Sequence, residues 1–500
     1  MDKGIQESKE IDERNRCISG KNNKGTCSKE KAGRKPEEEP RINNEGDLIS
    51  VIFHYIPKFV TWLSEIDDPR RKDRIIYTPE EIIMLTILER LCGTDSRAAM
   101  TFHKTNKIFK GNIETILKRK LEYLPHGDTV NYFFENLQPQ ELDKILVKII
   151  HEFRKKKMLK DFKFHNHYLL AIDGVHINTS KQPLPNSLKF ELKNGTVEYR
   201  QYALEAKLVS PTGAVFSIGS TFIGMDDLAN DASKIKTDDN GIITEYPKQD
   251  CELKAFKRLV EEIHKNYPQW NFVLLLDALY MTKGVIDIAN KYNWWYSIAL
   301  KKGSAEVFYN SAMEAIKRNS HNRIKYENNK IIKWANKIIW NNNNKEYRIS
   351  VIGTENDDKT GWAFLYATNI FIHKSEAIEI QDEVCRERWK IENQGFKEQK
   401  HCGLELEKAF GTRKNAALNY YKLVQITHLI RVLIIYSNAF RTLQRVDNKQ
   451  IIKETIQKPM LEFYKTIKQF VNEFARSIFS YKLRLRKREL QRLTFAVFYS

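Results

Sequence analysis

Between Tyr168 and Lys301 the chain shows an order of short apolar runs that leaves few architectures open. "YLLAIDGVHI", "RQYALEAKLVS" and "AVFSIGSTFIG" are apolar or alternating, and the last two are joined by the turn signal "PTG". They predict three consecutive strands. An amphipathic stretch, "DCELKAFKRLVEEIHKNY", comes next, then the buried run "FVLLLDALY", a second helical stretch "TKGVIDIANKY" and the run "WYSIALK". This β-β-β-α-β-α-β series predicts an α/β fold in which helices pack on a mixed sheet.

The flanks have other textures. Residues 1–46 are rich in Lys, Glu, Asn and Gly with almost no large apolar groups, which predicts a disordered polar tail. From Asp47 to about 160 the periodicity is helical: "DLISVIFHYIPKFVTWL", "TPEEIIMLTILERLCG" with Thr78 capping ahead of Pro79, and "LQPQELDKILVKIIHEFRKKKM". Residues 161–302 hold the α/β series. In 303–370, "KIIKWANKIIW", "KEYRISVIG" and "WAFLYATNI" read as strands between Asn-rich turns, a β-rich insertion. Helices return over 371–440, starting with "SEAIEIQDEVCRERWKIENQGFKEQ", and 441–500 reads as a basic helical C-terminal region.

The formal net charge is +19, and an excess of this size is matched most simply by a polyanion such as DNA. Residues 441–500 carry 14 Lys plus Arg against 5 Asp plus Glu, densest at "KLRLRKREL". Arg484, Arg486, Lys487 and Arg488 are therefore candidate DNA-backbone contacts, against the blander reading of a solvated helix face. The most membrane-like run, "LNYYKLVQITHLIRVLIIYS", contains Lys422, His428 and Arg431 and reads as a core helix, so no membrane partner is expected. The start of the chain has no apolar stretch after its charges, which predicts a cytoplasmic, nucleoid-associated protein. Cys17, Cys27, Cys92, Cys251, Cys385 and Cys402 form no CxxC pair and are expected as thiols. His165 and His167 lack a second pair at zinc spacing and read as loop residues.

Three acids stand out. Asp173 interrupts "YLLAIDGVHI" and Asp277 ends "FVLLL", and an acid in a run built for burial carries a desolvation cost unless a cation compensates. Strands of one sheet can deliver both to the same end, where α/β proteins place ligands. Glu392 stands four residues after Arg388, the spacing of an ordinary helical ion pair, but Trp389, Ile391 and Phe396 mark that helix as packed on a core. Hard oxygen ligands without a Cys or His pattern suit Mg²⁺ or Mn²⁺.

In this order, "AIDG", "LLLDALY" and "RERWKIENQGFKEQK" resemble the DDE transposases of bacterial insertion sequences, in particular the group with a β-rich insertion before the Glu. Asp277 lies 104 residues after Asp173, and Glu392 lies 115 after Asp277, enough to hold the insertion. "DPRRKDRIIYTPEEIIMLTILERLCGTDS", "PHGDTVNYFFENL" and "DCELKAFKRL" look like further segments of that family, so the resemblance runs over most of the chain from about residue 68. It implies an RNase H-like catalytic domain in which Asp173, Asp277 and Glu392 ligate two Mg²⁺ or Mn²⁺ ions. It also implies metal-dependent strand cleavage and transfer at element ends, a helical N-terminal region that binds those ends, and a homodimer bridging them. Arg388, Lys397 and Lys400 are its expected DNA contacts. Many relatives carry a Tyr three residues before the Arg and a Lys seven after the Glu; here Cys385 and Gln399 stand there, with Lys400 one further on. An insertion near Gly395 would restore the Lys, whereas a regular helix would put Gln399 nearer the Glu392 face.

Glu205 and Lys207, alternating in "LEAKL", read equally as site residues or as a structural ion pair. Asp250 reads as a helix N-cap. Trp334 and Trp340 read first as strand-core residues and second as acceptors of an unstacked base. Two other readings of the whole stay open: a catalytically inactive DNA-binding derivative, and a metal-dependent nuclease without strand transfer.

Overall fold

A computed structural model describes residues 44–224, 236–237, 243–245, 250–303, 305–326, 330–342, 345–355, 361–408, 411–436 and 459–483. The polar tail up to residue 43 and the basic run containing Arg484, Arg486, Lys487 and Arg488 lie outside them.

The runs read as strands from 168 onward all take extended backbone. We label the long strands β1 (His167–Ser180), β2 (Val197–Val209), β3 (Val215–Ile223), β4 (Phe272–Leu276), β5 (Trp295–Ala299), β6 (Ile331–Asn342), β7 (Lys345–Glu355) and β8 (Trp362–Thr368). They lie in one mixed sheet in the order β6-β7-β8-β5-β4-β1-β2-β3, extended by short strands such as Leu188–Glu191 beside β2 and Arg323–Lys325 beside β6. β1 pairs with β4 and β4 with β5 in parallel; β1–β2, β2–β3 and β5–β8 are antiparallel. The strands of residues 303–370 therefore continue the sheet past β5. That segment also contains a helix, Glu306–Arg318, where the sequence reading had strands and turns only.

Strand alternation divides the core between the two faces of the sheet. Leu170, Ile172, Leu204, Ala206, Leu208, Leu274 and Leu276 point to one face. There the helix Glu252–Asn266 buries Ala255, Phe256, Leu259, Val260 and Ile263, and Pro139–Lys155 buries Ile145, Ile149 and Phe153. The helix Pro79–Leu91 is closed by a capping box between Thr78 and Glu81, with Pro79 in its first turn; a cap of this kind contributes about 1 kcal/mol. Ala416–Ile435, the most membrane-like run of the sequence, is buried along its whole length as a central core helix. Leu169, Ala171, Val175, Val273 and Leu275 point to the other face, where Ile380, Val384, Ile391 and Phe396 cover them.

Candidate active site at the edge of three parallel strands

Asp173 follows Leu169 and Ala171 at a spacing of two, so the pleat directs it to the face that Ile391 and Phe396 cover. The pairing of β1 with β4 ends at Ala171–Leu275, and Asp277 follows directly on the end of β4. Asp277 caps the turn Ala278–Tyr280 by accepting from the Leu279 amide at 2.8 Å. Both aspartates thus lie where the parallel pairing stops, the end at which open α/β sheets place ligands.

Glu392 comes to Asp173, through Arg388, from the segment Ala377–His401. The sequence predicts one regular helix there. The structure has instead a short α-turn, a π-helix at Ile380–Val384, a 3₁₀ stretch at Cys385–Trp389, a second π-helix at Ile391–Phe396 and an α-turn at Lys397–His401. Such departures persist when packing holds them, and here buried side chains pin the segment at several points. Lys390 pairs with Glu387 at 2.6 Å and donates to the carbonyls of Ser210 and Pro211 in the β2–β3 turn. Glu398 accepts from Arg431 Nε at 2.8 Å and lies 3.2 Å from His428, both on the central core helix. Beneath Gly395 and Phe396 lies the fully buried Glu205–Lys207 pair, joined by Ser217 and by Tyr421, which donates to Glu205 at 2.5 Å. Of the two readings of Glu205 and Lys207, the ion pair is the one the structure contains.

Arg388 joins Asp173 to Glu392. Its Nη1 lies 3.1 Å from Asp173 Oδ2 and 3.0 Å from Glu392 Oε1, so one guanidinium bridges acids that are 219 residues apart in sequence. The i,i+4 pair and the contact to the strand acid coexist. Burial pushes the Asp173 carboxyl up to about 7; Arg388 acts against that shift, and Glu392 and Asp277 add to it. At Asp173, burial thus outweighs the Arg388 charge.

A π-turn takes up one extra residue, and Gln399 is fully buried while Lys400 is partly exposed and pairs with Glu407 at 2.7 Å. Burial first, and the Lys400 ammonium second, hold His176 of β1 below the usual imidazole range. Lys397 is exposed, donates to Asn393 and lines a separate cavity of about 520 Å³ with His401 and Lys468. Arg388 opens instead onto a cavity of about 700 Å³ that includes Lys301, Lys302, Phe364, Arg386 and Trp389. Trp334 is 3% exposed in the sheet core, and Trp340 packs on Phe308 with Lys283 over its ring; neither lines that cavity. The exposed aromatics beside the site are Trp389 and Phe364.

The sequence reading missed Glu252 and Tyr280. Glu252 opens the helix Glu252–Asn266 and accepts from Tyr280 Oη at 2.5 Å. The N-cap of that helix is Cys251 rather than Asp250, which correct the expectation for Asp250: its carboxylate is buried against Arg258 at 2.6 Å and accepts from the Gly224 amide.

The donor chemistry of Asp173, Asp277 and Glu392, three hard carboxylates, suits Mg²⁺ or Mn²⁺. Among the described residues no three His, Cys, Asp or Glu side chains stand together ready to hold a metal ion. The Arg388 guanidinium, between Asp173 and Glu392, supplies the positive charge at that point.

With this geometry in hand, comparison with known proteins adds one match. The family described as DDE_Tnp_1-associated matches residues 60–150, the helical region from Val60 to Ile150. It points to a DDE-type transposase family. The match ends before Asp173, so it bears on the kind of protein and not on the three acids. No curated protein matches the chain. Among the described residues no helix is long and apolar enough to cross a membrane.

Proposed function

We propose that the chain is a DDE-type transposase that cleaves DNA strands at the ends of an insertion sequence and joins them to target DNA. The observation that carries this reading is the convergence of Asp173 and Glu392 on Arg388, with Asp277 on the adjoining parallel strand near enough to raise the Asp173 carboxyl. The strand order β3-β2-β1-β4-β5, with only β1, β4 and β5 parallel, supports an RNase H-like core. On that reading β6 to β8 belong to the β-rich insertion between Asp277 and Glu392. The match over residues 60–150 supports a transposase-related protein, and binding of element ends by the helical region belongs to the same proposal.

Asp173, Asp277 and Glu392 would hold Mg²⁺ or Mn²⁺, and two such ions would supply activation of water and relief of charge on the leaving 3′ oxygen. Arg388 fixes Asp173 and Glu392 relative to each other, and its planar fork is also suited to a phosphodiester oxygen. Lys400, next to the Asp173 strand, and Lys397, on the neighbouring cavity, are backbone contacts of the sequence-independent kind. A freed 3′-OH in the place of water serves for joining with the same residues, and no covalent bond to the protein is needed. A homodimer bridging both ends in the nucleoid belongs to this proposal.

The test is incubation of the full chain with DNA carrying the element and its flanks, with Mg²⁺, with Mn²⁺ and with excess chelator. The proposal expects cleavage at the ends and joined products with either cation and neither with chelator. Cleavage without joining would make the protein a nuclease, and full cleavage in chelator would remove the metal site.

A further inference from the structure

We infer that Glu252 is a positioning residue of this site, holding the Asp277 turn against the Asp173 strand through Tyr280; the inference rests on the proposed reading of the acids. β4 leaves β1 after Ala171–Leu275, so the edge of β1 at Asp173 and Gly174 faces the turn that Asp277 begins. Nothing in the ladder ties the two aspartates together at that point. Glu252 makes the tie from the opposite face of the sheet. Its carboxylate accepts the Tyr280 phenol at 2.5 Å, three residues after Asp277. The same carboxylate lies over Gly174, where a side-chain Cβ would meet Oε2 at 3.2 Å and Cδ at 3.3 Å.

Each partner is suited to this contact. Tyr280 is fully buried, and burial, then Glu252, then Asp173 and Asp277 hold its phenol far above the usual range, so its proton stays available to donate. Its ring packs on Phe256 of the helix that carries Glu252, which places the phenol oxygen beside that helix. Gly174 lets Glu252 approach β1 with no side chain between them.

The test uses the full-length protein without DNA and reads Mn²⁺ binding by electron paramagnetic resonance, with melting temperature as the folding control. Tyr280→Phe removes one oxygen, Glu252→Ala removes the acceptor, and Glu252→Gln keeps an acceptor for the phenol while removing the charge. The inference expects Tyr280→Phe and Glu252→Ala to weaken Mn²⁺ binding by about 10-fold or more, as supporting contacts of metal ligands do, with Glu252→Gln restored to within a few-fold of wild type. A purely structural role would lower the melting temperature in proportion and leave Mn²⁺ affinity of the folded protein unchanged, which would overturn it. Glu252→Gln as weak as Glu252→Ala would also overturn it, by making the charge itself the contribution. Asp277→Asn is the reference: if it binds Mn²⁺ like wild type, the acid site fails and this inference with it. If Asp277→Asn alone is weakened, only the role of Glu252 fails.

Discussion

Asp173 is the residue whose surroundings make the sharpest demand. Its carboxyl stands at about 7 in the fold, against an ordinary value of 3.8, because burial outweighs Arg388. Between roughly pH 4 and 7 the folded, metal-free protein therefore keeps a proton that the unfolded chain has lost, and by linkage its stability falls as pH rises through that window. Asp173→Asn has no such proton. Melting curves of wild type and variant from pH 4.5 to 8 should diverge, with the variant gaining on wild type as pH rises; parallel curves would contradict the assigned environment. Asp173 and Asp277 were legible in the sequence because each interrupts or ends an apolar run, where an acid is costly. Glu252 was not, since a glutamate at the start of an amphipathic helix is ordinary there and its contact with Tyr280 crosses 28 residues.

At the scale of elements, the segment around Glu392 depends on Gly395. A Cβ there would stand 3.0 Å from Cδ and Cε of Lys207, whose ammonium is locked in the buried pair with Glu205 and cannot swing aside. Gly395→Ala should destabilise the protein by about 1–3 kcal/mol and displace the π-turn that carries Glu392. Gly111→Ala, in the helix Lys107–Leu117 with open space around it, should be neutral or stabilising by up to about 1 kcal/mol. Equal losses in thermal denaturation of the two variants would refute the packing argument. Long strands and helices were readable from periods of two and 3.6. The π and 3₁₀ turns were not, because they use the same residues at nearly the same spacing and are fixed by partners from distant parts of the chain: Ser210 and Pro211 for Lys390, Arg431 and His428 for Glu398, and the Glu205–Lys207 pair. The helix Glu306–Arg318 escaped for another reason: its buried stripe is only Phe308, Ala312 and Ile316, a faint signal between strand-like neighbours.

Across the whole molecule the sheet runs unbroken from β6 to β3 because Tyr366, Ala367 and Thr368 of β8 pair with Ala299, Ile298 and Ser297 of β5. No local pattern announces that pairing, which joins residues about 70 apart, whereas the charge excess is evident from composition alone. If the excess serves DNA, replacing Arg484, Arg486, Lys487 and Arg488 together by Gln should weaken binding to any duplex. It should also make the slope of log affinity against log salt shallower by roughly 3 to 4 if all four touch phosphate. An unchanged slope in a folded variant would leave them as solvated surface charge.

If Asp173, Asp277 and Glu392 act as one site on DNA, loss of any one charge stops strand cleavage. Single-turnover cleavage in Mg²⁺ by Asp173→Asn, Asp277→Asn and Glu392→Gln, with DNA affinity determined in parallel, reads this out. Each variant should lose at least about 100-fold in rate, as removal of a preorganised electrostatic group does, while binding DNA as wild type does. Cleavage near the wild-type rate by any one of them would contradict a single site.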